Sequence, residues 1–215
     1  MTTFLLPRIY PILDSSVIPV AGRAEFLHRL GRALSDAGVM LLEYRNKGAD
    51  DSGLLADADV LRESMPAGQV TLILDDRADL VVRAGFDGVH VDAGDVPPAE
   101  ARRLVGPKRI VGTFGGSDSL LPGILQQPAD YFSIGPVFAT TTKQTDKRPI
   151  GVEGVRKLRE SAGPEPTLVA AAGITLETAP LVLSAGASTV AVAAAIFSRP
   201  DPAAEFRRWL KALGD

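Results

Sequence analysis

Eight short apolar runs, rich in β-branched residues, recur along this 215-residue chain. Segments with apolar residues three and four positions apart lie between many of them, a spacing that is typical of amphipathic helices. Nearly unbroken apolar strands that alternate with helices predict a parallel sheet covered by helices. Eight such units favour a closed (β/α)8 barrel, the TIM-barrel architecture, over the alternative of a doubly wound open sheet. The predicted strands are RIYPIL, VMLLEYR, VTLIL, DGVHV, RIVGT, DYFSI, TLVAAA and STVAVA.

The predicted helices carry a recurring stop signal. Three of them end in Ala-Gly directly before a new apolar run, at Gly38, Gly85 and Gly186. Glycine at this position supplies the left-handed backbone that turns a helix back toward the sheet. The predicted helical segments are AEFLHRLGRALSDAG, LLADADVLRESM, ADLVVRAG, PPAEARRLVG, LETAPLVLSAG and DPAAEFRRWLKALGD.

Composition narrows the classes of function. With 46% hydrophobic and 23% charged residues the chain is of the globular class, and we expect one domain spanning residues 1–215. A net charge of -3 argues against a nucleic-acid partner, and the absence of cysteine excludes disulfides and thiolate metal sites. No apolar run reaches the ~18 residues that a membrane span needs, and no leader is visible, so we expect a cytoplasmic protein without a membrane partner. The sequence leaves a homo-oligomer open.

Polar residues follow the predicted strands at the end where a barrel of this type carries its reactive groups. Strand two is the clearest case, because Glu43, Arg45 and Lys47 alternate and must therefore face one side. Isolated buried charges are costly, so these side chains need partners or a ligand. For any single residue a structural ion pair at the barrel mouth is an equal alternative. The other polar positions are Asp14, Asp75, Asp76, His90, Asp92, Asp95, Thr140 to Lys143, and the glycine Gly173.

Two of these carboxylates suit a hard divalent cation. Asp76 follows strand three and Asp95 follows strand four, so both are predicted at the same rim. Mg²⁺ in proteins is usually bound by one or two carboxylates together with phosphate oxygens of a substrate. The sequence therefore predicts a magnesium site at Asp76 and Asp95.

The remaining rim residues suit phosphate. Arg45, Lys47 and Lys143 provide positive charge, while Thr140 and Thr142 provide hydroxyl donors. Glycine after strand seven, Gly173, lets backbone N–H groups approach a phosphate, as in other barrels. We therefore expect small phosphorylated or pyrophosphorylated substrates.

Five motifs resemble the thiamine phosphate synthase/thiazole tautomerase group of (β/α)8 barrels. EYRNK resembles Gln-x-Arg-x-Lys, and DDRADL resembles Asn-Asp-Arg-x-Asp-Leu. DGVHVDAGD resembles Asp-Gly-Val-His-x-Gly-Gln-x-Asp, and GPVFATTTK resembles Gly-Pro-x-Phe-x-Thr-x-Thr-Lys. AAGI and VAVAAAIF complete the likeness, which covers nearly the whole chain.

The resemblance implies a magnesium-dependent synthase that joins hydroxymethylpyrimidine pyrophosphate to thiazole phosphate and releases pyrophosphate. It implies that Arg45, Lys47 and Lys143 are catalytic, and that Asp76 and Asp95 bind the magnesium ion. It places the substrate-binding residues at Glu43, Asp75, Thr140, Thr142 and Gly173.

The chain departs from the family pattern in its pocket. Glu43 replaces a glutamine, Asp75 an asparagine, and Asp92 a glycine, while Phe114 and Ala194 replace serines and Ala172 a glycine. Two alternatives to the synthase follow: a non-catalytic barrel that binds a phosphorylated thiazole or thiamine-like ligand, and a diverged enzyme for another phosphorylated heterocycle. The tautomerase branch fits less well, because the segment TFGGSD lacks the histidine expected there.

Overall fold

Eight parallel strands form a closed barrel in the structure, a computed structural model that describes residues 5–140 and 146–214. Each strand pairs with the next one along the chain, and the last strand pairs with the first. The predicted closed barrel is confirmed, and the open-sheet alternative is wrong. The strands are β1 Ile9–Asp14, β2 Leu41–Arg45, β3 Thr71–Asp75, β4 Gly88–Val91, β5 Ile110–Gly116, β6 Tyr131–Ile134, β7 Leu168–Ala171 and β8 Thr189–Val192.

Helices cover the outside of the barrel. Two of them begin at an aspartate whose side chain caps the first turn: Asp50 accepts a hydrogen bond from the Gly53 N–H, and Asp201 accepts one from the Ala204 N–H. Within the described residues, no helix is both long and apolar enough to cross a membrane. The helices are α1 Arg23–Asp36, α2 Asp51–Ser64, α3 Pro98–Val105, α4 Gly151–Ala162, α5 Ala179–Ser184, α6 Ala194–Phe197 and α7 Pro202–Leu213, with 3-10 turns at Ser15–Val17 and Ile124–Gln126.

One predicted helix is wrong. The segment ADLVVRAG between β3 and β4 forms a series of turns, in which the N–H groups of Leu80 and Gly85 bond to carbonyls three residues back. Its apolar residues Ala78, Val81 and Ala84 are nevertheless buried. The apolar spacing therefore predicts correctly which side of the segment faces the core. It does not distinguish consecutive turns from a helix. Gly85 still has the predicted left-handed backbone, with φ +64.

The buried side chains form an outer core between strands and helices and an inner core inside the barrel. Tyr131 from β6 belongs to the inner core, and its ring lies across β5 at Gly112. A Cβ at Gly112 would lie 1.9 Å from the ring of Tyr131. Glycine at this position is therefore what lets the tyrosine reach across the barrel interior. The other residues of the inner core are Tyr10, Leu41, Ile73, Ile110, Val169 and Ala191.

The amino-terminal end of the barrel is held by a repeated arrangement that we call the arginine clamp. In the first clamp, Arg62 near the end of α2 donates to the Asp87 carboxylate at 2.7 Å. The same carboxylate oxygen accepts the N–H of Leu72 at the start of β3, at 2.8 Å. A helix, the strand that follows it and the residue before the next strand are thus joined at one point.

The arrangement recurs twice. Arg102 of α3 donates to Asp130, which accepts the N–H of Val111 in β5. Arg159 of α4 donates to the Ser188 hydroxyl, which accepts the N–H of Leu168 in β7. All three arginines also donate to backbone carbonyls of the adjoining loops. These hydrogen bonds satisfy loop carbonyls that a helix end would otherwise leave unpaired.

Candidate active site

A cavity of about 840 Å³ opens at the carboxyl ends of the strands. It lies at the end where barrels of this architecture carry their ligands. Predicted site residues from four different strand ends line its wall, which brings distant parts of the chain together. These are Glu43, Arg45, Asp75, Thr140 and Gly173. Thr142 and Lys143 lie outside the described residues, so their predicted roles stay predictions.

An ion-pair network connects β1, β2 and β3 at this rim. Arg45 forms an ion pair with Asp14, and its Nε lies 3.4 Å from Asp75 Oδ2. Lys47 Nζ lies 3.2 Å from the same Asp75 oxygen and also pairs with Asp76. The alternation of charges along β2 therefore has the consequence predicted from sequence: the cations of one strand face the carboxylates of its neighbours.

Three carboxylates lie close enough to share a cation. One oxygen each from Asp75, Asp76 and Asp92 falls within 4.8 Å of the other two. Two carboxylate oxygens in this group, Asp75 Oδ2 and Asp76 Oδ1, are buried and accept no hydrogen bond within the described residues. Asp95, the second predicted metal ligand, lies in the adjoining turn, where its side chain accepts the Asp92 N–H at 2.7 Å. Sequence reasoning did not select Asp92 as a ligand.

Asp76 has a left-handed backbone, with φ 68. This conformation is unfavourable for a residue with a side chain and tends to persist at functional sites, where surrounding contacts impose it. Here the contacts are backbone hydrogen bonds: the Asp76 N–H donates to the His90 carbonyl, and its own carbonyl accepts the Ala78 N–H. The turn carries the Asp76 carboxylate beside that of Asp75.

A chain of hydrogen bonds crosses the floor of the cavity. Tyr10 of β1 donates its hydroxyl to the Glu43 carboxyl at 2.7 Å. The hydroxyls of Tyr10 and Tyr131 are also hydrogen-bonded at 2.7 Å, and either of them can be the donor. Tyr131 in turn meets His90 Nδ1 at 3.2 Å, and His90 Nε2 lies 3.5 Å from the Ser133 hydroxyl.

Sequence reasoning missed most of this chain. The sequence places Tyr10, Tyr131 and Ser133 only within apolar strands, and it predicts that His90, inside strand four, packs against or orients its neighbours. The available signal was strand alternation, since Tyr10 shares a face with Ile12 and Asp14, and Tyr131 shares one with Ser133.

Burial changes the acid strength of the carboxyls at the cavity floor. Burial, followed by the negative charge of Asp75, raises the pKa of Glu43 to about 8, against the opposing effect of the Tyr10 hydrogen bond. Burial also raises the pKa of Asp75, and the neighbouring charge of Lys47 opposes that shift. At neutral pH, Glu43 is therefore largely a neutral acid that can donate and accept a hydrogen bond, as the amide of glutamine does.

The loops after β6 and β7 approach each other closely beside the cavity. Gly173 has φ +67, and a Cβ there would lie 2.4 Å from the Ala139 carbonyl oxygen. The Phe138 N–H donates to the Ala172 carbonyl at 3.1 Å. Gly173 is therefore required by the packing of the two loops as well as by any approach of a phosphate.

Phe114, which replaces a serine of the family pattern, faces a cation. Its ring lies 3.6 Å from Lys147 Nζ, measured to the ring centroid, and both residues line the cavity. Such cation–π contacts are favourable at this distance. Phe114 thus removes a hydroxyl and holds a lysine at the cavity wall.

A family described as thiamine monophosphate synthase matches residues 9–196. A thiamine-phosphate synthase of Koribacter versatilis is 39% identical over 195 residues, which covers 91% of this chain and 91% of the relative. A thiamine-phosphate synthase of Agrobacterium fabrum is 36% identical over 193 residues, covering 88% of this chain and 86% of the relative.

Solved structures give the same result. A thiamine phosphate pyrophosphorylase of Pyrococcus furiosus superposes with a TM-score of 0.80 at 26% identity, covering 96% of this chain and 95% of that one. An orotidine 5'-phosphate decarboxylase of Pyrococcus horikoshii superposes with a TM-score of 0.64 at 14% identity, covering 96% of this chain and 100% of that one, which is a likeness of fold alone.

Proposed function

This chain belongs to the thiamine monophosphate synthase family, and from that premise we propose that it joins hydroxymethylpyrimidine pyrophosphate to thiazole phosphate and releases pyrophosphate. The family match carries the proposal. The geometry supports it, because Glu43, Arg45 and Asp75 converge on one cavity at the carboxyl end of the barrel.

The proposed reaction breaks the C–O bond between the pyrimidine methylene carbon and pyrophosphate, and the electron pair leaves with pyrophosphate. The thiazole nitrogen then forms the new C–N bond with its lone pair. Such a step depends on stabilising the charge of the leaving group more than on a strong base. Arg45 and Lys47 are the described cations at the rim that suit this role, and Lys143 is predicted to join them.

The residues present fit a magnesium ion. The cluster of Asp75, Asp76 and Asp92 offers oxygen ligands only, the type that Mg²⁺ prefers, and two of its buried oxygens accept no hydrogen bond in the part of the chain that the structure describes. We propose that Asp76 is the central ligand and that Asp75 and Asp92, whose oxygens lie close to it, complete the site, while Asp95 stays a ligand predicted from sequence. When bound, the cation would neutralise negative charge on the pyrophosphate.

Substrate positions follow from the cavity wall. We propose that the neutral Glu43 carboxyl at its floor meets the polar edge of the pyrimidine, as the family's glutamine amide would. The loops around Thr140 and Gly173 face the opposite side of the cavity mouth and would hold the thiazole phosphate, with Thr142 as a further predicted donor.

A direct assay tests the proposal. Purified protein is expected to form thiamine phosphate from the two substrates in the presence of Mg²⁺, and chelation of the metal should stop the reaction. Binding of thiamine phosphate or thiazole phosphate without turnover would favour the non-catalytic barrel instead. Turnover of a different phosphorylated heterocycle, with none of this pair, would favour the diverged enzyme.

A further inference from the structure

Lys47 is the counter-charge of the acidic cluster in this structure. Its ammonium group pairs with Asp76 and lies 3.2 Å from Asp75 Oδ2. The side chain of Lys47 is 42% exposed, whereas that of Asp75 is only 4% exposed. Lys47 follows the end of β2, so its flexible stem can move while the Asp75 carboxylate stays fixed in the barrel wall.

One ammonium group is a poor match for this cluster. Asp75 Oδ2 accepts no hydrogen bond from the described residues, although Lys47 Nζ and Arg45 Nε both lie within ion-pair distance of it. Asp76 Oδ1 is also buried and has no hydrogen bond to any residue that the structure describes. Burying a carboxylate oxygen without a partner is unfavourable. Arg45 cannot compensate fully, because it is shared with Asp14.

A divalent cation satisfies the same oxygens better. It carries twice the charge of an ammonium group and binds carboxylate oxygens in several directions at once. Asp92 adds a third carboxylate within reach, at a position where the family pattern has glycine. Lys47 and a divalent cation therefore need the same two carboxylates.

We propose that Lys47 and a divalent cation compete for Asp75 and Asp76, with Asp92 completing a three-carboxylate site, so that cation binding frees the Lys47 ammonium for the anionic leaving group. The destination of Lys47 rests on the proposed function, but the competition for the carboxylates does not. Lys47 thereby acts in sequence, first as a partner of the acidic cluster and then on pyrophosphate.

The competition is tested with Mn²⁺ alone, in the absence of any substrate. Lys47→Met keeps the length of the stem and removes the charge, so Mn²⁺ should bind this variant roughly tenfold more tightly than wild type, or better. Lys157→Met on the exposed face of α4 changes the net charge equally and should leave Mn²⁺ affinity unchanged. Equal or weaker binding of Mn²⁺ by Lys47→Met would overturn the competition.

A separate variant tests whether Asp92 is the third carboxylate of the site. Asp92→Asn should weaken Mn²⁺ binding about tenfold, in wild type and in Lys47→Met alike, because it removes one charged ligand. An unchanged Mn²⁺ affinity would remove Asp92 from the site.

A measurement on unaltered protein covers the case in which a variant fails to fold. Acetylation of Lys47 by acetic anhydride, followed by mass spectrometry, should become faster when Mn²⁺ is added, while acetylation of Lys157 stays constant. No acceleration at saturating Mn²⁺ would contradict the release of Lys47.

Inorganic pyrophosphate tests the destination of Lys47. At saturating Mn²⁺ it should bind Lys47→Met about tenfold more weakly than wild type. Tighter Mn²⁺ binding without weaker pyrophosphate binding would keep the competition and reject the transfer of Lys47 to the leaving group. Absence of thiamine phosphate formation by wild type would instead reject the proposed function and leave the Mn²⁺ results standing.

Discussion

The charged side chains at the two ends of the barrel differ in how their hydrogen bonds are satisfied. At the amino-terminal end, each clamp arginine donates to a polar side chain and to loop carbonyls, and each acceptor side chain also receives a strand N–H. At the carboxyl end, Asp75, Asp76 and Asp92 lie close together, and two of their buried oxygens accept no hydrogen bond from residues 5–140 or 146–214. The clamp side chains bond to one another, although Arg62 Nε is buried without a hydrogen bond within the described residues, whereas the acidic cluster is where we propose that a cation binds.

This difference indicates how the molecule divides stability from function. Satisfied hydrogen bonds at charged groups stabilise a fold, while crowded like charges and a left-handed Asp76 backbone destabilise it. Proteins commonly accept such local instability where activity requires it. We therefore expect substitutions at the carboxyl end to reduce activity, and substitutions at the amino-terminal end to reduce stability.

The largest expected effect is at the carboxyl end. Asp76→Ala should lower kcat/KM for thiamine phosphate formation by roughly 1000-fold, equivalent to about 4 kcal/mol, because it removes a metal ligand and a buried charge. Chemical denaturation of the metal-free variant should show no loss of stability. Asp59→Ala, on the exposed face of α2, is the matched control and should retain activity. A stable Asp76→Ala enzyme with normal kcat/KM would end the assignment.

The second effect is at the amino-terminal end and has the opposite character. Asp130→Ala removes the carboxylate that accepts from Arg102 and from the Val111 N–H, so the free energy of unfolding should fall by about 2 kcal/mol, while Arg102 keeps its bonds to loop carbonyls. Urea denaturation measures this change, and kcat/KM of the folded variant should stay within about twofold of wild type. A large loss of kcat/KM without a loss of stability would contradict the assignment of the clamps to stability.

The third effect is a pH dependence at the cavity floor. The Glu43 carboxyl has a raised pKa of about 8 in the folded chain against 4.5 as its ordinary value, so the folded state holds a proton that the unfolded state releases. Its contribution to stability is fully present below pH 4.5 and is lost as pH rises through 8. Glu43→Gln removes this loss.

Metal-free Glu43→Gln should therefore be more stable than wild type at pH 9 by about 2 kcal/mol, and the difference should shrink toward pH 5. Denaturation curves at a series of pH values test this. Glu63→Gln, exposed on α2, should give a difference near zero at every pH. A difference for Glu43→Gln that does not vary with pH would show that Glu43 keeps the same charge in both states.

The smallest expected effect compares a neutral acceptor with a charged one among the clamps. Ser188→Ala removes one neutral acceptor from the third clamp, while Arg159 keeps its bonds to the carbonyls of Gly163, Pro166 and Gly186. The loss of unfolding free energy should be only about 1 kcal/mol, below that of Asp130→Ala. Urea denaturation of both variants in parallel measures the ranking, and the reverse order would mean that the carboxylate does not strengthen the clamp.

The sequence predicted the strands closely because period and composition agree there. All eight predicted runs coincide with a strand, and the rim charges Glu43, Arg45 and Asp75 lie on the cavity wall, since strand alternation fixes which way they point. Periodicity gave a wrong prediction for ADLVVRAG, because its apolar residues are buried although the segment does not form a helix.

Contacts across the barrel interior could not be predicted in the same way. The meeting of Tyr10, Tyr131 and His90 depends on strand stagger and on the space above Gly112, which no local pattern records. The predicted magnesium site pairs Asp76 with Asp95 because both follow neighbouring strands, and strand position alone does not show that the Asp92 carboxylate lies within reach of Asp75 and Asp76. The clamps were also missed, because each one joins residues between 25 and 29 positions apart.

The separation of 25 to 29 residues within each clamp affects how the barrel folds. Closing a loop of this size costs little chain entropy, and contacts between near neighbours in sequence favour fast folding. Each clamp ties one helix to the two strands that follow it, so the chain is divided into consecutive units that can form in order. The pairing of β1 with β8, together with the hydrogen bond from Arg8 to the Leu213 carbonyl, requires the two ends of the chain to meet, and we expect that step to complete the native state.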